Sequence, residues 1–234
     1  MSTALVTGGS AGLGKALATA LAQLGWQVVV DGRDPARLHE AAREIGAGVR
    51  PVVGDVRDSR HRERLVREVD DLGGRLDLLV NNASTLGPTP LRPVAELGAE
   101  ELADIWLTNV AAPLALTQAL LPSLRAVGGV LVNVSSDAAV EHYETWGGYA
   151  ASKAALDHLT VTLGVENPWL AAYAVDPGDM RTAMQQSAFP GEDIGDRPLP
   201  ETVVPHLLAL LAQRPPSGRY RAATFATDRQ GVSA

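Results

Sequence analysis

One passage constrains this chain more than any other. An apolar run, Ala4-Leu5-Val6, leads through Thr7-Gly8-Gly9-Ser10-Ala11-Gly12-Leu13-Gly14 into the helix-forming stretch Lys15-Ala16-Leu17-Ala18. A strand that turns through spaced glycines straight into a helix opens a βαβ unit. The glycines permit a tight turn and a close backbone approach. The bare helix N-terminus offers free N–H groups and the positive end of the helix dipole to a pyrophosphate. A Gly-rich turn alone says little, because turns collect glycine; its place between strand and helix gives it weight.

The rest of the chain repeats the pattern. Short β-branched runs at Ala4–Val6, Gln27–Asp31, Val49–Val53, Leu76–Val80, Val130–Val134, Ala171–Val175 and Arg219–Ala223 read as strands. They alternate with helical stretches at Gly12–Leu24, Pro35–Ile45, Ser59–Leu72, Ala99–Ala126, Tyr149–Val165 and Glu201–Ala212. Such alternation implies a parallel sheet, and strands that are apolar throughout suit burial on both faces. The expectation is an α/β, doubly wound (Rossmann-type) seven-stranded parallel sheet with helices on both faces, in a single domain over residues 1–234. With 46% hydrophobic and 20% charged residues, the chain can bury the core this requires. Ala183–Pro200 (AMQQSAFPGEDIGDRPLP) departs from the pattern. Rich in Gly, Pro and acids, it reads as a mobile flap beside the site.

Composition removes several functions. The absence of cysteine excludes disulfides and thiolate metal sites, and the five histidines form no i,i+4 pair. No metal is expected. The net charge is −7. The arginine-rich stretch from Arg57 to Arg67 is interleaved with Asp58 and Glu63 and followed by Glu68, so it reads as a solvated helix face rather than a nucleic-acid site. No leader pattern is visible, and no apolar run approaches the ~18 residues that span a bilayer. The reading is a soluble, cytoplasmic protein without membrane or nucleic-acid partners. Of 20 basic residues only Lys15 and Lys153 are lysine, which hints that a compact ammonium is wanted at those positions.

Two further groups of residues carry chemistry. The second strand ends in Val30-Asp31-Gly32-Arg33-Asp34, where a dinucleotide fold meets the adenosine ribose. A carboxylate there binds the 2′-OH of NAD, and an arginine accommodates the 2′-phosphate of NADP. This chain offers both, so the residues alone leave the cofactor open. Tyr149 and Lys153 stand four apart in an Ala-rich helix and share one face. A phenol with pKa ~10 is a poor catalyst at neutral pH. A neighbouring ammonium would lower that value toward the working range of a general acid. Ser136, thirteen residues before Tyr149 at the end of the fifth strand, is placed to hold a substrate oxygen.

Taken together these motifs resemble the short-chain dehydrogenase/reductase family in its single-domain branch. Thr7–Gly14 is similar to that family's cofactor glycine motif, and Asp55-Val56 to its adenine-contacting pair. Asn81-Asn82-Ala83 resembles its NNAG motif, with Ser84 in place of the last glycine. Asn109 matches its structural and proton-relay asparagine. Ser136, Tyr149 and Lys153 match its catalytic serine, tyrosine and lysine, and Pro177-Gly178 with Thr182 matches its nicotinamide-end segment. The resemblance implies hydride transfer between a nicotinamide cofactor and a carbonyl or secondary alcohol. Tyr149 would protonate the carbonyl oxygen. Lys153 would lower the tyrosine pKa and hold ribose hydroxyls. Ser136 would orient the carbonyl, and Asn109 would anchor a relay water. Cofactor contacts would come from Gly8, Ser10, Gly12, Leu13, Gly14, Arg33, Asp55, Val56, Asn82, Ala83, Tyr149, Lys153, Pro177, Gly178 and Thr182. Arg33 favours NADP over NAD. The family also implies a homodimer or homotetramer.

Substrate choice falls to Thr85–Pro93, Asp137–Gly148 and Ala183–Pro200. The second carries Asp137, Glu141 and Glu144, an acidic rim that fits a neutral or cationic polar substrate better than a bulky phosphorylated or carrier-bound acyl one. An epimerase or dehydratase on the same scaffold would show TGxxGxxG spacing, whereas this chain has TGxxxGxG. An NADP(H)-binding sensor without turnover would be expected to lack Tyr149 or Lys153.

Overall fold

The computed structural model describes residues 1–225. Seven strands form one sheet: β1 (Thr3–Val6), β2 (Gln27–Gly32), β3 (Val49–Val53), β4 (Leu78–Asn81), β5 (Val130–Val134), β6 (Ala171–Asp176) and β7 (Gly218–Arg221). All neighbours pair in parallel, in the order β3-β2-β1-β4-β5-β6-β7. The helices are α1 (Gly12–Gln23), α2 (Pro35–Ile45), α3 (Ser59–Asp71), α4 (Ala99–Trp106), α5 (Ala112–Arg125), α6 (Gly147–Glu166), α7 (Ala183–Ala188) and α8 (Val204–Gln213).

Residues alternate along each strand, so the two sheet faces bury different sets. Val6, Val28, Val30, Leu78 and Val80 meet Leu17 and Leu21 of α1 and Leu207 and Leu210 of α8. Leu5, Val29, Leu79 and Leu131 meet Leu65 and Val69 of α3 and Leu116, Leu120 and Leu124 of α5. The doubly wound expectation therefore holds. The sheet order reverses between β1 and β4, and in open α/β sheets ligands bind beyond the carboxyl ends of the strands at that switch point.

Several boundaries move for identifiable reasons. The fourth strand starts at Leu78 rather than Leu76, because the Leu76 amide donates to Ser123 O of α5 at 3.1 Å. The last strand ends at Arg221, where Ala222–Thr224 winds into a 3₁₀ turn. The helix expected from Glu201 begins at Val204 behind a 3₁₀ turn over Pro200–Thr202.

The helix expected over Ala99–Ala126 is interrupted. Between α4 and α5, Leu107–Ala111 forms a π-helical turn. Such bulges concentrate at functional sites, and this one contains Asn109. The whole run Ala99–Arg125 is, at 27 residues, long and apolar enough to cross a membrane by length and composition alone, a test that a buried core helix also passes. Here its Leu116, Leu120 and Leu124 are buried against the sheet.

A chain of buried amides and hydroxyls locks the middle of the fold beneath the switch point. Asn81 Nδ2 donates to Thr117 Oγ1 at 3.1 Å and to Asn133 Oδ1 at 2.7 Å, and Asn133 Nδ2 donates to Thr160 Oγ1 at 2.7 Å. This ties β4 and β5 to α5 and α6. Buried polar groups in such a network are satisfied only in one arrangement, which fixes the register of the elements that carry the site.

Candidate active site

A cavity of about 570 Å³ opens at the carboxyl ends of the strands. One end is the glycine turn after β1. Gly8 and Gly12 have φ of 69° and 55°, in the left-handed region that favours glycine. Gly14 does not line the cavity. A Cβ there would lie 2.5 Å from Gly8 O and 2.5 Å from Asn82 Nδ2, so its role is the close packing of α1 against the turn. Ala11, the N-cap of α1, makes no side-chain cap hydrogen bond. The first amides of the helix are thus left without a side-chain acceptor of the protein's own.

The turn is held from two sides. Asn82 Nδ2 donates to Thr7 O at 2.8 Å and to Gly8 O at 3.3 Å, and Ala83 N donates to Thr7 Oγ1 at 3.0 Å. Asp31 takes the other side. Its Oδ1 accepts the Gly8 amide at 2.6 Å, and its Oδ2 lies 2.9 Å from Nε2 of the fully buried His61. Asp31 is therefore turned inward, and it is not a free carboxylate for a ribose. His61 and its link to the turn went unseen in the sequence, because a lone histidine on an arginine-rich helix carries no spacing signal.

The wall past β2 and β3 is built from Arg33, Asp55, Val56 and Arg57. Arg57 corrects the reading of its stretch as a purely solvated face. Its Nε and Nη2 donate to Asp55 Oδ2 at 3.0 and 2.8 Å. Burial alone would raise the Asp55 carboxyl, but the hydrogen bonds and charge of Arg57, with Arg33 adding charge, hold it below the usual range. The matching interaction raises the Arg57 guanidinium.

The cavity also reaches Ser136, Tyr149 and Lys153, with Pro177 and Gly178, and Thr182 stands against Gly12 of the turn. Tyr149 is 8% exposed and packs against Leu86 and Ala138, with Trp146 edge-on at 5.7 Å. Lys153 is 2% exposed. Its Nζ donates to Val134 O at 2.7 Å and lies 5.5 Å from the Tyr149 ring centroid. The expected lowering of the phenol does not appear. Burial pushes Tyr149 up, the Ser136 hydroxyl opposes the rise, and Lys153 is not among its causes. Burial also pulls the Lys153 ammonium down to about 8, with Asp157 opposing.

Ser136 Oγ donates to Asp137 Oδ1 at 2.9 Å and accepts from Ala138 N at 3.2 Å. Asp137 also accepts from Tyr143 at 2.8 Å. Burial would raise this carboxyl, but the Tyr143, Ser136 and Ala138 hydrogen bonds outweigh it and hold it low.

Asn109 does not reach the cavity wall. Its Oδ1 accepts from Ser84 Oγ at 3.1 Å and Thr85 N at 2.8 Å, and its Nδ2 donates to Thr85 O at 2.8 Å and Ser152 Oγ at 3.0 Å. Ser152 Oγ in turn donates to Tyr149 O at 2.6 Å. The side chain is thus fully engaged within the protein. Ser84, the departure from the family motif, contributes one of these bonds.

Lys15 lies away from the cavity and pairs with Glu44 of α2 at the surface, so the compact ammonium there serves no site. The segment expected as a structureless flap contains α7, whose first turn is capped by Thr182 Oγ1 accepting from Gln185 N at 3.1 Å. Met184, Gln185 and Phe189 line the cavity, and Arg197 lies 4.2 Å from the Phe189 ring centroid. Among the described residues there is no cluster of metal-ligating side chains.

Known proteins match this arrangement. The family model for short chain dehydrogenase matches residues 2–193. The oxidoreductase YciK of Escherichia coli is 34% identical over 215 residues, 88% of this chain and 84% of that one. A short chain dehydrogenase of Shigella flexneri solved in complex with NADP superposes with a TM-score of 0.88 at 32% identity, over 95% of this chain and 97% of that chain. One from Escherichia coli CFT073 complexed with NADPH gives 0.87 at 32% identity, over 94% and 96%. This chain belongs to the short-chain dehydrogenase family of oxidoreductases.

Proposed function

We propose that the chain transfers a hydride between NADP(H) and a carbonyl or secondary alcohol, with Tyr149 as the general acid and base. The observation that carries this reading is the convergence of Ser136, Tyr149 and Lys153 on one cavity that the glycine turn also lines. The residues present fit the cofactor. The uncapped α1 N-terminus suits a pyrophosphate. Arg33 and Arg57 stand where the adenosine ribose would lie, and Asp31 is occupied by Gly8 and His61. A wall of two guanidinium groups with no free carboxylate suits a 2′-phosphate rather than a bare hydroxyl. The NADP and NADPH complexes of the two structural neighbours support the same choice.

Bound NADP(H) supplies or accepts the hydride. Tyr149 Oη keeps its proton in the resting chain because burial disfavours phenolate. An oxygen that develops alkoxide character beside it is the stronger base, and the proton passes from Oη to that oxygen. Ser136 Oγ, held in place by the Ala138 amide, orients the reacting oxygen by turning its one O–H from Asp137 to that oxygen. Lys153 Nζ uses one of its three donors on Val134 O, leaving two for cofactor hydroxyls or for returning a proton toward Tyr149. Asn109 acts as a positioning residue through Ser152 and the Tyr149 carbonyl. Tyr149→Phe tests the reading. We expect kcat to fall by roughly 10²- to 10⁴-fold, the usual worth of a positioned proton donor, with NADPH affinity nearly unchanged. A wild-type rate in this variant would overturn the assignment.

A further inference from the structure

Arg219 lies on β7 and does not line the cavity. Its guanidinium nevertheless joins three segments of the site. Nε donates to Asp157 Oδ2 at 2.8 Å, and Nη2 donates to the main-chain oxygen of Ser136 at 2.9 Å. Nη2 also lies 3.7 Å from Asp176 Oδ2. Each partner belongs to a different part of the proposed machinery. Asp157 sits one helical turn beyond Lys153 and two beyond Tyr149, on the same face of α6. The Ser136 oxygen is the carbonyl of the proposed carbonyl-orienting residue itself. Asp176 Oδ1 accepts the Gly178 amide at 2.9 Å and so shapes the Pro177–Gly178 turn.

We propose that Arg219 is a positioning residue, setting the distance between Ser136, just past the end of β5, and the Tyr149–Lys153 face of α6; the inference rests on the hydride-transfer reading above. A planar guanidinium with donors in a fixed fork transmits geometry in a way a point-like ammonium does not. Its side chain is only 23% exposed, and those of Asp157 and Asp176 are 10% and 4% exposed, so solvent screens these contacts little. Burial pushes the Asp157 carboxyl up, and Ser135 and Arg219 oppose that. Arg219 therefore also offsets part of that rise in the residue one turn beyond Lys153. Arg221, 58% exposed and 3.6 Å from Asp176, completes the charged groups around Asp176 but reaches neither Ser136 nor Asp157.

The test compares Arg219→Ala and Arg219→Lys with wild type in steady-state kinetics, in NADPH binding, and in the spectrum of chain labelled with ¹³C at lysine Cε. With only Lys15 and Lys153 present, that spectrum holds two signals. For Arg219→Ala we expect kcat to fall roughly ten- to hundredfold, as sub-ångström misplacement does, with KM and NADPH affinity within about twofold. The Lys153 signal should move and the Lys15 signal should not. Arg219→Lys should fall between the two, and it carries the test alone if the alanine variant does not fold. Wild-type kcat per folded molecule, or an unmoved Lys153 signal, would overturn the proposal. A wild-type chain that binds NADPH but reduces no carbonyl would sink the hydride-transfer reading instead, and the Lys153 signal then decides whether Arg219 positions this face.

Discussion

The Gly8 amide donates to Asp31 Oδ1 at 2.6 Å, so a carboxylate at the end of β2 is a structural brace of the glycine turn. The brace continues inward. His61 Nε2 is 2.9 Å from Asp31 Oδ2, and Arg64 Nη2 is 3.2 Å from His61 Nδ1. Arginine can only donate, so Nδ1 accepts and the Nε2–H donates to Asp31. The aspartate receives two donors, one on each oxygen. Asp31→Ala leaves both without acceptors, at a cost of about 1–3 kcal/mol for each buried orphan. Thermal unfolding should shift down by several degrees, at roughly 2–4 °C per kcal/mol for a chain of this size. NADPH and NADH should both weaken, by similar factors. Selective loss of NADH would mean that Asp31 contacts a ribose after all.

Arg33 and Arg57 give the opposite signature. Neither supports the turn, and both face the cavity past the ends of β2 and β3. Hydrogen bonds to charged groups contribute about 1.5–3 kcal/mol. Arg33→Ala should therefore weaken NADPH roughly ten- to hundredfold and leave NADH within a few-fold. Arg57 is already engaged with Asp55, so its removal should discriminate less between the two cofactors. Titrating both nucleotides against each variant by fluorescence checks this, and equal losses would count against a 2′-phosphate site.

Burial of Lys153 makes stability depend on pH with a sign that can be worked out. Its folded value is pulled to about 8 from an ordinary 10.5, so between those values the unfolded chain binds the extra proton. Stability then rises with pH through that window, by on the order of 2–3 kcal/mol if Lys153 acted alone. Tyr149 works against it above its ordinary value of 10.0, because burial raises the folded phenol and the unfolded chain loses its proton first. The net gain should appear from about pH 8 to 10 and reverse beyond. Urea unfolding across that range tests this in the cofactor-free chain. Lys153→Met should flatten the rise, and an unchanged slope would show that another group is responsible.

The legible parts of this protein were those where one residue type suits the local requirement. The glycine turn, the strand–helix alternation and the Tyr149–Lys153 pair are local patterns, and each appears at the expected place. What the sequence hid depends on distant partners. Asp31 and Arg33 looked like rival ribose ligands until His61, thirty residues on, showed which way Asp31 faces. Arg57 looked solvated because helix-face charge patterns ignore the loop before the helix, where Asp55 turns it toward the cavity. Asn109 was recognisable, but the π turn that carries it has no signature in hydrophobic periodicity. Arg219 was invisible among many arginines, since its partners lie 62 and 83 residues away.

The segment 183–200 yields a prediction about substrate. Its Pro- and Gly-rich composition hid the short helix α7, which folds back over the site because Thr182 caps it and Phe189 packs between Trp146 and Arg197. Phe189 lies 6.0 Å from Trp146, which stands edge-on to Tyr149 at 5.7 Å. The aromatic row thus puts Phe189 on the cavity wall, one aromatic ring removed from the proposed proton donor. Phe189→Ala removes an aromatic contact worth about 0.5–1.5 kcal/mol beyond its area. KM for a carbonyl substrate should rise roughly two- to tenfold, while NADPH affinity stays at the wild-type value and kcat changes less than KM. Steady-state kinetics beside NADPH titration separates the cases. A variant that loses NADPH affinity instead would place this segment over the cofactor rather than over the substrate.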